Sequence, residues 1–282
     1  MTVRVGHIRF LNCYPLYYGL ERRGALSGDL EMQLVPGVPT ELNRMLAAGE
    51  IDLGPISSIA YARNHRHLLL SRYVSISSLG AVDSIQLVTR RPLESLRSVA
   101  LTTQSATSVA LLKTLLKLRF HREVSYEELA GSLEEALKEH DAALVIGDQG
   151  LEALHFPLPG TVCHDLGLLW QKWTDLPMVY AVWAAREDFA RAHSTELLAV
   201  EAELVRCMDY GRQHLPQVVE SALNLYPFGR EELARYFALL YYEFPPSYQQ
   251  GLLRFYELAH QAGELEEVPE LRFIDDFVER LR

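Results

Sequence analysis

Cysteine is scarce in this sequence: Cys13, Cys163 and Cys207 are the only three among 282 residues. An odd number, far apart and with no C-x-x-C pair, excludes a disulfide framework and offers no zinc site. No run of about 18 apolar residues is present, which excludes a membrane-spanning helix. The opening "MTVRVGHIRF" has neither the basic nor the apolar region of an export signal. Together these absences predict a protein of the reducing cytoplasm with no membrane partner. Positive charge is also in short supply. The 27 Lys and Arg residues are outnumbered by 37 Asp and Glu, for a net charge of −10, and they are scattered apart from pairs such as Arg22-Arg23 and Arg90-Arg91. That balance excludes nucleic acid as the expected partner. A small anion is still within reach, because a helix N-terminus offers free N–H groups and a favourable dipole.

The usual catalytic signatures are missing too: G-x-S-x-G, G-x-x-x-x-G-K-[ST], H-E-x-x-H and G-x-G-x-x-G do not occur. The expectation is therefore no nucleotide cofactor and no catalytic metal. His65 and His67, two apart in "RNHRHLLL", have no nearby carboxylate or cysteine set and read as surface residues. What the chain does have is an ordinary globular composition, 49% hydrophobic and 23% charged, and enough length for two domains.

From its start the sequence alternates strand and helix: "VRVGHIRF", "YPLYYGLERRG", "LEMQLVPG", "TELNRMLAAGE", "IDLGPIS". That order predicts a parallel α/β sheet. Thr40 suits an N-cap, Leu42, Met45 and Leu46 an apolar face, and Gly49 the helix stop. From "DSIQLVTRRPLESLRSVALTTQSATSVALLKTLLK" onward the pattern implies a second lobe with a long helix from about Thr107. "HDAALVIGDQG" adds a buried strand, and "LPMVYAVWAARE" a strand that leads back. After about residue 190 the pattern is almost wholly helical. Two α/β lobes with a helical return describe a hinged binding-protein architecture with a ligand in the cleft, which strand-to-helix turns would face. The expected lobes are 1–88 with 180–282, and 89–179.

Four stretches place polar groups at such turns. In "TTQSATSVALLK", Ser105, Thr107 and Ser108 crowd one helix start. A single hydroxyl suffices for an N-cap, and three with free N–H groups would also hold a carboxylate or phosphate. In "IDLGPISS", Ser57 or Ser58 projects at a strand end, or merely forms the turn. In "VIGDQG", Gly147 precedes Asp148, which reads first as a helix N-cap. In "FLNCYP", Asn12 is a neutral donor and acceptor where strand gives way to helix, or an ordinary turn asparagine ahead of Pro15. Trp170, Trp173 and Trp183 read as packing residues.

Six segments in order, "GHIRFLNCYPLYYGL", "GEIDLGPISSIAY", "DSIQLVT", "TQSATSVALL", "LVIGDQGL" and "HDLGLLWQKWTDLPMVYAVWAAR", resemble the chorismate dehydratases of the futalosine route to menaquinone. The resemblance implies a type II periplasmic-binding-protein fold used in the cytoplasm as an enzyme. It implies loss of water from chorismate to give 3-[(1-carboxyvinyl)oxy]benzoate, with neither metal nor organic cofactor. By motif position, Asn12 and Ser84 match the residues that contact the reacting part of the substrate. Ser105, Thr107 and Ser108 match the carboxylate-binding helix start, and Ser57, Gly147 and Asp148 align with cleft-edge positions. The related dihydroxynaphthoate synthase shares this fold, but its chemistry is expected to use a second-lobe histidine where this chain has Asp148. A cytoplasmic solute-binding or sensor protein for an aromatic carboxylate is the alternative of another class.

Overall fold

The computed structural model describes residues 1–23 and 30–281. Within them the strands are β1 (Thr2–His7), β2 (Glu31–Pro36), β3 (Leu53–Ser57), β4 (Leu68–Ser78), β5 (Ile85–Thr89), β6 (Ser98–Leu101), β7 (Ser125–Glu128), β8 (Ala142–Ile146), β9 (Val162–Asp165) and β10 (Met178–Arg186). They form two five-stranded sheets, in the orders β2-β1-β3-β10-β4 and β7-β6-β8-β5-β9. Each sheet is the centre of one compact unit, and neither unit is a single stretch of chain. Unit 1 comprises Met1–Ile76, Ala181–Pro245 and Pro269–Arg282; unit 2 comprises Ser77–Tyr180 and Pro246–Val268.

In unit 1, β1 runs parallel to β2 and β3, while β10 is antiparallel to β3. The sheet is thus mixed rather than parallel. A parallel neighbour needs a crossover within the sheet, and β10 instead arrives from the chain of unit 2. Val3, Val5, Leu53, Val182 and Trp183 are buried along these strands, and Leu42 and Leu46 are buried on the helix Pro39–Ala47. That helix is preceded by Val38, not Thr40, as its N-cap. Proline suits the first helical position, where no N–H is needed, and the Glu41 carboxylate takes the Val38 N–H at 3.0 Å. Gly49 follows the helix with a φ of +74°, as its stop role requires.

The helix Tyr14–Arg23 crosses the long helix Ser194–Gln213 at two glycines. A Cβ on Gly19 would collide with the Cys207 backbone, and one on Gly211 with the Pro15 carbonyl. This close crossing fixes the helix that follows Asn12. The helix end expected at Gly24 lies outside the described residues.

In unit 2, β6 is parallel to β7 and β8, and β5 is antiparallel to β8 and β9. Val88, Ala100, Ala143 and Val145 pack with Ala136, Leu137 and Ala153 of the flanking helices. The helix Pro246–Ala262 belongs to this unit as well. Its Phe255 ring stands edge-on to Trp170 at 6.0 Å, whose indole N–H donates to the Pro177 carbonyl at 3.2 Å. The expected lobe boundaries therefore shift in two places. Residues 77–88 fall in unit 2, where β5 pairs with β8 and β9, and so do residues 246–268, whose helix makes the tryptophan contact.

Candidate active site

In unit 1, β1 and β3 are parallel, so their C-terminal ends share one edge of the sheet. After β1 the chain turns through a short 3-10 segment, Leu11–Cys13, closed by Cys13 N–H donating to Phe10 O at 3.0 Å. Leu11 and Cys13 are fully buried and pin the turn, leaving Asn12 between them half-buried. Asn12 Oδ1 is itself inaccessible to solvent and has no hydrogen-bond partner among the described residues. A turn or N-cap asparagine would use that oxygen on a backbone N–H, so the ordinary explanation of Asn12 fails. A buried acceptor left unpaired costs about 1–3 kcal/mol, and a donor from a ligand would recover it.

Around Asn12 the side chains are held in neutral forms. Burial pushes the Cys13 thiol up to about 12 and raises the Tyr17 phenol well above its ordinary value. Tyr17 Oη accepts the Ile8 N–H at 3.1 Å, and its ring lies 3.8 Å from that of His7. Burial, helped by the nearby Arg9 charge, lowers the His7 pKa. No functional weight fell on His7 in the sequence, although its place at the end of β1 was a visible signal. Ser57 closes β3 and is buried, with its N–H donating to Asn43 Oδ1 at 2.9 Å. Asn43, on the neighbouring helix, was not anticipated.

In unit 2 the C-terminal ends of β6, β8 and β9 and the start of β5 lie on one edge, as their pairing directions require. That edge gathers Ser84, the helix start at 105–108, Gly147, Asp148 and Asp165. Ser84 precedes β5, is buried, and donates its N–H to Val82 O at 2.6 Å. The residue before it, Asp83, has a φ of +56°, a left-handed conformation that is uncommon outside glycine. Gly150 packs so closely that a Cβ there would overlap the Ser84 carbonyl. On this edge the sequence reading missed Gly150 and Asp165.

Gly147, with φ +61°, is the N-cap of the helix Asp148–His155. Asp148 is therefore the first helical residue and not the cap, because only glycine adopts that turn without strain. Its charge still favours the helix N-terminus. At the helix Ala106–Thr114, Ser105 is the N-cap: its Oγ accepts the Ser108 N–H at 3.2 Å and lies 2.9 Å from Ser108 Oγ. Thr107 and Ser108 are buried, while Ser105 is half-buried.

Asp165 closes β9 and caps the helix Leu166–Thr174, its Oδ1 accepting the Leu168 N–H at 2.9 Å. Its Oδ2 accepts Val82 N–H at 3.0 Å, Asp83 N–H at 2.7 Å and Gln86 Nε2–H at 3.3 Å. Burial raises its pKa, and the backbone donors oppose that shift.

Among the described residues no cluster of three or more His, Cys, Asp or Glu could hold a metal, and no helix is long and apolar enough to cross a membrane. His65 bonds the Ala62 carbonyl through Nδ1 at 2.9 Å. None of the three cysteines is in a disulfide among the described residues.

Residues 3–261 match a protein family described as menaquinone biosynthesis. A curated relative, chorismate dehydratase of Thermus thermophilus, is 38% identical over 198 residues, covering 65% of this chain and 70% of the relative. Among solved structures, protein AF1704 from Archaeoglobus fulgidus superimposes with a TM-score of 0.72 at 21% identity, over 94% of this chain and 98% of that one. The Candida albicans CA3427 gene product, described as having the generic periplasmic binding protein fold, gives 0.67 at 13% identity, over 100% and 94%. At such identities these structures establish the fold, a periplasmic-binding-protein-like α/β architecture.

Proposed function

The chain belongs to the menaquinone biosynthesis family, and from that membership we propose that it is a chorismate dehydratase of the futalosine route, a carbon–oxygen lyase that converts chorismate to 3-[(1-carboxyvinyl)oxy]benzoate. The observation on its own residues that supports this most directly is the buried Oδ1 of Asn12, without a partner among the described residues. The reaction removes the proton at C3 and the hydroxyl at C4 of the ring. The proton is acidified because the ring diene is conjugated to the ring carboxylate, and aromatisation favours completion. The C3–H electron pair becomes the new ring double bond as the C4–O bond breaks, and the leaving hydroxyl departs as water once protonated.

Asn12 and Ser84 orient the enolpyruvyl side chain and assist departure of the hydroxyl through hydrogen bonds, Asn12 donating from Nδ2–H while its Oδ1 accepts from the C4 O–H. Neither is a competent base near neutral pH. The substrate's own enolpyruvyl carboxylate takes the C3 proton and gives it to the departing C4 hydroxyl, which leaves as water. Ring carboxylate binding falls to the helix start at Ser105, Thr107 and Ser108, where N–H groups and the helix dipole favour an anion. Ser57, Gly147 and Asp148 complete the substrate contacts. The chemistry asks for no metal and no organic cofactor.

Incubation of the purified protein with chorismate, followed by chromatography and absorbance, tests the reading. The expected result is a single aromatic product with the mass of chorismate less one water; chorismate bound but unchanged would instead mark a solute-binding protein. The base is tested by Asp148→Asn and by chorismate whose side-chain carboxylate is masked as an amide. Turnover abolished in Asp148→Asn but preserved with the amide would move the base from the substrate to Asp148.

A further inference from the structure

Ser84 sits in a turn whose conformation its own sequence does not favour. Asp83 has a left-handed φ of +56° without being glycine, and such a residue persists only where its surroundings over-determine it. The surroundings are one carboxylate. Asp165 Oδ2 takes the N–H groups of both Val82 and Asp83, at 3.0 and 2.7 Å, so the two peptide units leading into Ser84 converge on a single oxygen. Gln86, the antiparallel cross-strand partner of Asp165, donates Nε2–H to the same oxygen at 3.3 Å and to Asp83 O at 2.9 Å. Both of its acceptors lack protons to give, which fixes the orientation of the amide. Its Oε1 is left buried with no partner among the described residues.

Helix capping does not account for this arrangement. An N-cap needs one acceptor for the N–H three residues on, and Oδ1 of Asp165 supplies it to Leu168 at 2.9 Å. A serine would serve equally there. Only a carboxylate has a second oxygen for the turn, and burying it is costly enough to raise its pKa.

We propose that Asp165, with Gln86 beside it, is the positioning residue for Ser84: its Oδ2 fixes the Val82–Asp83 backbone and so the place from which the Ser84 hydroxyl reaches the substrate. This rests on the reading that Ser84 contacts the reacting part of chorismate. Asp165 touches no substrate itself and acts through the turn.

The test is a double-mutant cycle in the full chain. Asp165→Ser keeps a capping oxygen and removes the turn anchor, while Gln86→Leu loosens the same anchor from the other side and leaves Asp165 and its cap intact. In the wild-type background each is expected to lower kcat, Asp165→Ser by about 10–10²-fold, the scale of an ångström-level misplacement, with KM for chorismate changed far less. In a Ser84→Ala background both losses should nearly vanish, because the hydroxyl they position is gone. A structural role alone would lower activity by the same factor in both backgrounds, and that additivity would overturn the proposal. If Asp165→Ser does not fold, the Gln86→Leu cycle decides by the same criterion. Absence of turnover in folded wild type would overturn the dehydratase reading and this proposal with it, whereas an active wild type with an additive cycle overturns the positioning role alone.

Discussion

Replacing Glu201 by glutamine should change how stability depends on pH. Glu201 lies on the helix Ser194–Gln213 and is only 4% exposed. Its neighbours are the Ser71 hydroxyl, which hydrogen-bonds the carboxyl, with Asp275 and Arg72 nearby. Arg72 is engaged by Asp276 at 2.7 Å and by Asp275 at 3.7 Å, so its charge does little for Glu201. Oε1 has no hydrogen-bond partner among the described residues. Burial therefore dominates and pushes the carboxyl up to about 7 from 4.5.

A carboxyl whose folded pKa is raised contributes stability fully below the unfolded pKa and loses it as pH rises through the folded value, here between 4.5 and about 7. At about 1.4 kcal/mol per pH unit the whole window amounts to about 3 kcal/mol, most of which falls between pH 5 and pH 8. Urea unfolding of wild type and Glu201→Gln at those two pH values measures it, since titrations common to both proteins cancel in the difference. Wild type should lose about 2–3 kcal/mol more than the variant on going from pH 5 to pH 8. A stability gap that is the same at both pH values would refute the reasoning.

Asn12→Ala should lower turnover of chorismate by about 10²–10³-fold, as for loss of one donor to a transition state. Its thermal midpoint should hardly fall, because Oδ1 makes no bond to lose. Gly150→Ala improves intrinsic helix propensity, yet its Cβ would overlap the Ser84 carbonyl. The net expectation is about 1–3 kcal/mol of destabilisation, read by urea unfolding, and reduced kcat. Ser105→Ala removes the N-cap of the helix Ala106–Thr114 and should cost about 0.5–2 kcal/mol of stability. Calorimetric titration with the product should show weaker binding as well.

The elements that were legible in the sequence, among them β1, β3, β8, β10 and the leucine-rich helix after Ser105, are those with a sustained apolar pattern. β4 was not foreseen because Ser71, Ser75, Ser77 and Ser78 are all buried in it, and serines break the alternation that marks a strand. One of them, Ser75, donates to the Glu243 carbonyl at 2.9 Å, a partner far along the chain that no local pattern reveals. β7 and β9 are four residues each and largely accessible, which leaves little hydrophobic signal. For the candidate site, Asn12 stood out because an amide is out of place at the end of a buried strand. Asp165 did not stand out, since its second oxygen serves residues some eighty positions earlier. Gly150 was hidden for a related reason: in "DQGL" nothing shows that the space a side chain would need is filled by Ser84.

The sheet order of unit 1 has a consequence for how the protein is made. β10 lies between β3 and β4, yet β4 ends at Ser78 and β10 at Arg186. On the ribosome, β4 must wait while about a hundred further residues are added before the neighbour that joins it to the sheet exists, an interval on the order of 5–20 s at ordinary elongation rates. During that time its backbone N–H and C=O groups have no sheet to join, and a nascent chain in that state is open to mispairing. Unit 2 waits longer still, since the helix that packs on Trp170 begins only at Pro246. A chain stopped at residue 245 should carry all ten strands and still leave that tryptophan uncovered.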